Sequence, residues 1–432
     1  MSVAAAAGAR RRVFVVGGHI SKFIGKGNPA FIDKKHPDFG KKENPDLEWY
    51  IRDAVNKTFE ATGITDASIV QKAIIGNFAS DLFNNQGHLG PMVVAANPGL
   101  RYVPAWHVEG ACASGGLAYS SGIEAIMAGS DVVLAVGAEM QTSVSPRQGG
   151  DFLARASHYA TQRALDDFTF PALFARRMKA YCEAHGVTPA DIAPVSVKAY
   201  SNGNLNPLAH MHHAKLSLET AAVASDKNPN FLKNEELSAW LKPSDCSQVT
   251  DGGAGLILAS EAGLRALGKT PADCIEVLSV SVAADALGVD GDLTEMGTIK
   301  HGARKALAAA GVTAADVQVA ELHDCFNIAE VLGYEAIGWA ARGKGHLLAK
   351  EGVTGLTGKH PVNTGGGLIS FGHPVGATGI KQVLEVCRQI KGQCGAYQVG
   401  GADAARWPKL GLTVNMGGDD KTVVASVLRG GQ

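Results

Sequence analysis

Short β-branched runs alternate with alanine- and leucine-rich stretches along most of this 432-residue chain. The runs fall at residues 13–16, 132–136, 255–259, 275–280, 317–322 and 412–414. This alternation predicts an α/β protein whose sheets are buried by helices. Glycines cluster where the runs end, at 110–116, 251–255, 363–367 and 415–418. Tight turns at the carboxyl ends of strands are where α/β sheets build their sites, so these clusters are the first candidates for function.

The order of the elements repeats once along the chain. Strands near 13, 72–78 and 131–139 have counterparts near 275, 319–326 and 411–418, and a helix at 114–129 has one at 377–391. Residues 141–245 differ, with more charge, proline and asparagine, and are interpreted as an insertion that covers one face of the first half. The pattern predicts an N-terminal half of 1–140 with 246–268, an inserted loop domain of 141–245, and a C-terminal half of 269–432.

Composition narrows the classes of function. The net charge of −1 gives no sustained positive field for phosphate backbones, which argues against nucleic-acid binding. Uninterrupted apolar runs stay below the roughly 18 residues of a membrane span, so none is expected. Seven cysteines at irregular spacings favour a reducing, intracellular compartment over a disulfide framework.

The start of the chain bears on location. It has no acidic residue before Asp33, and its first eleven or so residues are rich in alanine and arginine. Such a start is typical of an organelle transit peptide, and a solvated terminus explains it equally well.

Two glycine clusters place a reactive residue ahead of a predicted helix. Cys112 lies in GACASGG between a strand and a helix, where free N–H groups and the helix dipole favour a thiolate. A lone cysteine is more commonly a buried, inert thiol. His373 lies in the turn GHPVGATG, where an imidazole can take a proton from a thiol. An exposed histidine in a capping loop accounts for that position as well.

The segment ELHDCFNIAE, residues 321–330, puts an imidazole, a carboxylate and a thiol into one strand-to-helix turn. Strand alternation places His323 and Cys325 on the same side, so both can face one cleft. Asp324 faces the other way, and we expect it to fix the turn or pair with a neighbour. An ordinary helix N-cap would explain Asp324 but neither of the other two. The later segment NMGG, residues 415–418, offers backbone N–H groups to an oxyanion.

The cluster HMHH raises the question of a metal site. No carboxylate or cysteine accompanies His210, His212 and His213 at a familiar ligand spacing. We therefore interpret HMHH as part of a solvated loop, and the sequence predicts no metal site.

Five segments resemble those of the thiolase family in residues and in order: GACASGG, DGGAGLILAS, ELHDCFNIAE, NTGGGLISFGHPVGATG and NMGG. The HDCF box is similar to that of sterol carrier protein thiolases, without room for their added sterol-carrier domain. The resemblance spans nearly the whole chain. It implies the thiolase fold, with five α-β-α-β-α layers from two similar halves plus an inserted loop domain. It also implies a homodimer or a dimer of dimers.

The resemblance also implies a role for each candidate residue. Cys112 would be the acyl-accepting nucleophile, activated by His373. Cys325 would be the second acid/base, because most thiolases carry that cysteine where this chain has Asn415. Asn415 is then a supporting residue.

Two oxyanion holes follow from the same resemblance. His323 and His373 would stabilise a thioester enolate. The N–H groups of Cys112 and Gly417 would stabilise the tetrahedral adduct on the nucleophile. Acyl-CoA and CoA are the implied substrates, with CoA as co-substrate and no permanently bound cofactor.

The implied reaction is thiolytic cleavage of a 3-oxoacyl-CoA to acetyl-CoA or propionyl-CoA and a shortened acyl-CoA, reversible as a Claisen condensation. The alternative is a catalytically weak protein that binds acyl-CoA or lipid on the same scaffold. That alternative is motivated by the HMHH loop and by Asp419 and Asp420, which are unusual after the last glycine pair and which we expect to face solvent. A decarboxylating condensing enzyme is a further alternative that would not need Cys325. A peroxisome-like organelle and the mitochondrial matrix both stay open as locations.

Overall fold

The structure, a computed structural model, describes residues 11–431. The alanine-rich start that resembles a transit peptide falls almost entirely outside this range. The strands are β1 (Val13–Ile20), β2 (Lys72–Gly76), β3 (Ala105–Val108), β4 (Val132–Glu139), β5 (Gly252–Ser260), β6 (Ile275–Ala284), β7 (Val319–Glu321), β8 (Leu410–Gly417) and β9 (Thr422–Gly430). The α-helices are α1 (Leu47–Thr62), α2 (Ser80–Phe83), α3 (Leu89–Ala95), α4 (Ser114–Met127), α5 (Pro146–Leu153), α6 (Tyr159–Gln162), α7 (Thr169–His185), α8 (Pro189–Gly203), α9 (Leu218–Ala222), α10 (Glu261–Ala266), α11 (Gly297–Ala310), α12 (Asn327–Ile337), α13 (Gly345–Lys350) and α14 (Thr378–Ile390).

The strands form one continuous mixed sheet in the order β3-β2-β4-β5-β1-β6-β9-β8-β7. The second half, β6-β9-β8-β7, repeats the order of β1-β5-β4-β2 in the first. In both halves a parallel pair is followed by antiparallel strands. The halves meet where β1 pairs with β6 through Phe14–Glu276 and Val15–Ile275. The repeat predicted from the order of elements is therefore present.

Two central helices lie between the half-sheets. Helices α4 and α14 each contact strands of both halves, whereas α1 and α3 cover the outside of the first half and α11 the outside of the second. This is the five-layered α-β-α-β-α arrangement, so the predicted fold class is confirmed.

Helix α14 is buried almost all round, and this places a charge in the interior. Lys381 is 1% exposed, and its Nζ donates to Glu321 Oε2 at 2.7 Å. A buried charge is tolerated only when it is paired. The pair fixes the end of β7 against α14, and His323 follows two residues later.

Close contact of the two central helices brings two glycine-rich loops together. A Cβ on Gly379, in the first turn of α14, would lie 2.1 Å from the backbone nitrogen of Gly116 in the first turn of α4. Only glycine fits at such a separation. The loop of Cys112, which leads into α4, therefore lies beside the loop of His373, which leads into α14.

The inserted segment 141–245 carries helices α5 to α9. Its long helices α7 and α8 pack on α12 of the second half, and α8 also packs on α13. The expectation that the insertion covers the first half is wrong for these helices, because their apolar faces share a core with the C-terminal half. The residue boundaries assigned to the three parts stay a prediction. Among the described helices, none has both the length and the apolar character to span a bilayer.

Candidate active site

Strand-end loops from both halves converge on one cavity of about 390 Å³. Cys112, Cys325 and His373 line it. Ligating atoms of Cys112, His323 and His373 lie within 4.8 Å of one another, although these residues are far apart in the sequence. Three of the four candidate side chains thus line the cavity, and His323 lies beside two of them, Cys112 and His373.

The thiol of Cys112 sits in a 3-10 turn, Ala111–Ala113, directly before α4. Its own N–H and that of Gly418 point at the sulfur and favour the thiolate. Burial has the larger effect and raises the pKa of Cys112 to about 12. The helix terminus therefore does not produce a resting thiolate, and a base must remove the proton before this sulfur can act as a nucleophile.

The hydrogen bonds of His373 define which of its nitrogens carries the proton. Thr378 Oγ1 donates its hydrogen to the carbonyl of Pro374 at 3.1 Å, so towards His373 Nδ1, at 2.6 Å, it can only accept. Nδ1 then bears the hydrogen and Nε2 the lone pair. Burial lowers the pKa of His373 to about 3, which keeps the ring neutral. Its Nε2 has no hydrogen-bond partner within residues 11–431 and is free to take a proton.

Asn415 sets the opposite tautomer on His323. Its Oδ1 accepts from Gly116 N–H and its Nδ2 donates to the carbonyl of Cys112, both at 3.0 Å, which fixes the orientation of the amide. The same Nδ2 lies 3.2 Å from His323 Nδ1, which must therefore accept. Burial, with His373 nearby, holds the pKa of His323 well below its usual value. His323 is thus a neutral ring with its hydrogen on Nε2, ready to donate.

The two imidazoles therefore have different capacities in one site. Their centroids are 5.1 Å apart and the rings are nearly perpendicular. His373 presents an acceptor and His323 a donor, as a base and an oxyanion donor require.

We expect Asn415→Asp to reverse the tautomer of His323. A carboxylate at this position accepts from Nδ1, so Nε2 loses its hydrogen and can no longer donate to an oxyanion. The kcat of acyl transfer should fall by about 10²–10³, the usual cost of one such donor. Asn28→Asp is the matched control, because the buried amide of Asn28 also bridges a backbone N–H and a carbonyl. Steady-state kinetics showing equal kcat for the Asn415 and Asn28 variants would contradict the assignment.

Cys325 is a second buried thiol in the cavity. Burial raises its pKa well above the usual value, and negative charge on Cys112 or Asp324 raises it further. Cys325 therefore rests as a thiol that can act as an acid. The next residue, Phe326, stacks on Phe174 of α7 with centroids 4.4 Å apart, which anchors the turn.

Asp324 faces away from the two reactive side chains and fixes the neighbouring loop. Its Oδ1 accepts from Leu368 N–H at 2.7 Å and its Oδ2 from Ile369 N–H at 3.4 Å. It is not the N-cap of α12, a position held by Phe326. The loop that it holds leads to His373.

Family profiles cover most of the chain. Residues 48–262 match the profile "Thiolase, N-terminal domain", and residues 279–428 match "Thiolase C-terminal domain-like". The chain belongs to the thiolase family. Membership makes it an enzyme, an acyltransferase.

Similar proteins carry several thiolase names. The acetyl-CoA acetyltransferase of Methanothermobacter thermautotrophicus is 32% identical over 87% of this chain and 93% of its own length. Sterol carrier protein 2 of Gallus gallus is 30% identical over 93% of this chain and 70% of its own length. Human mitochondrial 3-ketoacyl-CoA thiolase in complex with CoA superposes with a TM-score of 0.67 at 16% identity, covering 97% of this chain and 98% of that one. At this identity the structural match shows the fold alone.

In this thiolase the aspartates after the last glycine pair are buried, with Asp419 8% and Asp420 5% exposed. The expectation that they face solvent is wrong. Asp419 pairs with Arg177, and Asp420 accepts the N–H groups of Thr298 and Ile299 at the start of α11. These partners compensate the cost of burying each carboxylate.

The solvated-loop interpretation of HMHH is wrong for one histidine. His210 is 2% exposed, with Nδ1 2.8 Å from Thr250 Oγ1 and Nε2 3.1 Å from the carbonyl of Lys26. His212 is half-buried and His213 is exposed. His210 therefore ties the insertion to the loop after β1.

A metal-ligand set occurs elsewhere in this thiolase. The sulfur of Cys112 with one nitrogen each of His323 and His373 is the kind of set that soft divalent cations such as Zn²⁺ take. The prediction of no metal site stays a prediction.

The sequence interpretation missed several residues of the site. Thr378 lies five residues after His373 in the same motif, at the start of α14, so its closeness in the sequence was the one available signal. Gly418 N–H points at the Cys112 sulfur, beside the predicted donor Gly417, whose role stays a prediction. Arg177 is one basic residue among many in the insertion and carried no signal.

Proposed function

We propose that this thiolase cleaves 3-oxoacyl-CoA with CoA, releasing acetyl-CoA or propionyl-CoA and a shortened acyl-CoA. The observation that supports this most is one cluster that joins the protonated thiol of Cys112 to two neutral imidazoles of opposite tautomers, His373 as acceptor and His323 as donor. Cys325, a second proton carrier in the same cavity, completes the groups that carbon–carbon cleavage requires.

In the first half-reaction Cys112 Sγ attacks the 3-keto carbon while His373 Nε2 takes its proton. The N–H groups of Cys112 and of the final glycine turn stabilise the tetrahedral oxyanion. The C2–C3 bond then breaks, and its electron pair moves into the thioester enolate. His323 and the newly protonated His373 donate to the enolate oxygen. Cys325 protonates C2, and acetyl-CoA leaves.

In the second half-reaction CoA attacks the acyl group on Cys112. The thiolate left on Cys325 takes the proton of the CoA thiol. The second tetrahedral adduct collapses, the acyl-CoA forms, and His373 returns its proton to the departing sulfur of Cys112. All groups are then as they began, and covalent catalysis has divided one difficult step into two easier ones.

The proposal extends to the sterol carrier protein type of thiolase. Its support is the HDCF turn, which supplies Cys325, together with Asn415 in the position where a catalytic cysteine is usual in the family. Asn415 is occupied in orienting His323, so it cannot act as an acid or base. The loop with Cys325 is then the source of that function.

The weakly catalytic lipid-binding alternative loses one of its two motives. Besides the HMHH loop, it rested on the acidic groups of Asp419 and Asp420, and both carboxylates have partners. The decarboxylating alternative leaves Cys325 without a role.

We further propose an acyl group longer than acetyl. The cavity wall is mainly apolar, with Leu153, Phe168, Phe170, Phe231 and Val249 on it. Each buried methylene contributes about 0.8 kcal/mol, so two extra methylenes should raise kcat/KM by about tenfold.

Thiolysis assays test the function and the chain length together. We expect CoA-dependent loss of 3-oxoacyl-CoA, with kcat/KM about tenfold higher for 3-oxohexanoyl-CoA than for acetoacetyl-CoA. Equal values would contradict the chain-length proposal. Tight CoA binding without turnover of any short, long or branched 3-oxoacyl-CoA would contradict the function and favour the binding alternative. Consumption of malonyl thioesters instead would favour the decarboxylating alternative.

We also propose a homodimer or a dimer of dimers. The edge strand β3 pairs with β2 on one side, and within the described residues no other strand covers it. Trp106 on this strand is 40% exposed, and open strand edges invite pairing with another chain. Sedimentation of a monomer at micromolar concentration would contradict this.

For location we propose a peroxisome-like organelle or the mitochondrial matrix, which imaging of the tagged full chain would distinguish.

A further inference from the structure

The turn after β8 is tied to a helix of the insertion. Asp419 accepts a hydrogen bond from Arg177 Nε, and the side chains of the pair are 6% (Arg177) and 10% (Asp419) exposed. Arg177 Nη1 also donates to the carbonyls of Leu293 at 3.3 Å and Glu295 at 2.9 Å. One guanidinium thus connects α7, the segment before α11 and the turn whose Gly418 N–H points at the nucleophile.

One face of α7 contacts three parts of the site. Phe170, Phe174 and Arg177 are spaced four and three residues apart, so they lie on the same side of the helix. Phe170 lines the cavity and Phe174 stacks on Phe326, the neighbour of Cys325. Arg177 binds Asp419 in the turn between β8 and β9. Helix α7 therefore contacts the cavity wall, the turn that carries Cys325 and the turn that carries Gly418.

The turn is a tight hairpin between β8 and β9, in which Gly417 pairs with Thr422, and side chains hold it from two sides. Gly418 and Asp420 both have left-handed backbone conformations, with φ of 67° and 58°. Asp420 is held from the far side by Thr298 N–H at 2.9 Å and Ile299 N–H at 3.0 Å. Asp419 supplies the side-chain anchor nearest to Gly418.

We propose that Arg177 and Asp419 are positioning residues that hold the final glycine turn, with the N–H of Gly418, in place beside Cys112. The inference rests on the proposed acyl transfer. A misplacement of about 1 Å in such a site can cost about 10²-fold in rate. A buried ion pair adds little net stability over well-packed apolar residues, so the stability of the fold alone gives no strong reason for it.

Asp419→Asn tests the proposal because it preserves the size and an acceptor oxygen while removing the charge. We expect acylation of Cys112 by acetyl-CoA, followed by quenched-flow mass spectrometry, to slow by about 10²-fold. KM for CoA should stay within about twofold. Alkylation of Cys112 by iodoacetamide needs the thiolate that the Gly418 N–H favours but no oxyanion donor, so it should slow far less than acylation does. Arg177→Lys retains the positive charge, so this variant should keep most of the wild-type acylation rate.

Two further variants separate positioning from stability. The double change Arg177→Met with Asp419→Leu removes both charges, so it should fold stably and still acylate slowly. Glu276→Gln breaks another carboxylate–guanidinium cluster, remote from the cavity, in which Glu276 is buried and its partners Arg12 and Arg429 are partly exposed. It should lower the melting temperature and leave acylation unchanged.

The outcomes are distinct. If the wild type is acylated and Asp419→Asn is acylated at the same rate, this inference alone is overturned. A double variant that is acylated at the wild-type rate overturns it as well. Equal slowing in Glu276→Gln overturns it too, because loss of stability would then explain the effect. Absence of an acyl-enzyme in the wild type overturns the proposed function itself.

Discussion

Cys112→Ala is expected to lower the rate of 3-oxoacyl-CoA thiolysis by at least about 10⁴-fold, since removal of a covalent nucleophile is among the costliest changes to an enzyme. Cys325 lines the same cavity, yet burial holds its pKa well above its usual value, and the N–H of Phe326 that points at its sulfur offsets only part of this effect. It should not replace the nucleophile. The measurement is the steady-state thiolysis rate with saturating CoA.

Cys274→Ala is the matched control for the loss of a thiol. Cys274 is 1% exposed at the start of β6 and belongs to the outer core of the first half. The variant should be less stable than the wild type, because a buried side chain is shortened, while its kcat stays near the wild-type value. Thiolysis by Cys112→Ala within tenfold of the wild-type rate would show that another group accepts the acyl chain.

His373→Ala is expected to change both the rate and its dependence on pH. At pH 7 the rate should fall by about 10²–10⁴, the usual contribution of a general base. In the wild type the proton moves between a thiol with a pKa of about 12 and an imidazole with a pKa of about 3, so the rate should be flat from pH 6 to 9. Without the imidazole, reaction needs the free thiolate, whose fraction rises tenfold per pH unit below a pKa of about 12. The rate of the variant should therefore rise about a hundredfold from pH 7 to 9.

The control for His373→Ala is a buried histidine away from the cavity. His360 is 7% exposed and stacks on Trp339, with centroids 4.7 Å apart. His360→Ala should retain the flat wild-type profile. A flat profile in His373→Ala would mean that a different base deprotonates Cys112.

The sequence indicated the reactive residues because each has a local signature. Cys112 and His373 stand in glycine-rich turns ahead of helices, and His323 with Cys325 follow a buried strand at alternating positions. Those signatures depend on residues within a few positions of each other. The repeat of elements was visible for the same reason, since the strands and helices of each half follow one another as short apolar runs in the sequence.

Long-range partners explain what the sequence did not show. Asp419 was expected in solvent because an isolated carboxylate avoids burial, and Arg177, its partner, lies 242 positions away. His210 was expected in a solvated loop, and its partner Lys26 lies 184 positions away. The tautomer of His323 depends on Asn415, 92 positions further on. None of these pairs leaves a pattern in a single sequence, because each becomes visible only when the chain has folded.

The helix dipole argument for Cys112 was correct in direction and incomplete in magnitude. The N–H groups at the start of α4 and in the final turn lower the pKa of the thiol, as expected, but burial raises it by more. Burial on this scale follows from the meeting of the two central helices, which the sequence of either helix alone does not specify.

Mass spectrometry of the wild-type protein after rapid quenching with acetyl-CoA tests the central claim most directly. Peptide mapping should locate one acetyl group on Cys112, and addition of CoA before the quench should remove it. An acetyl group on Cys325 or Cys246, or no covalent acetyl group at all, would contradict the account.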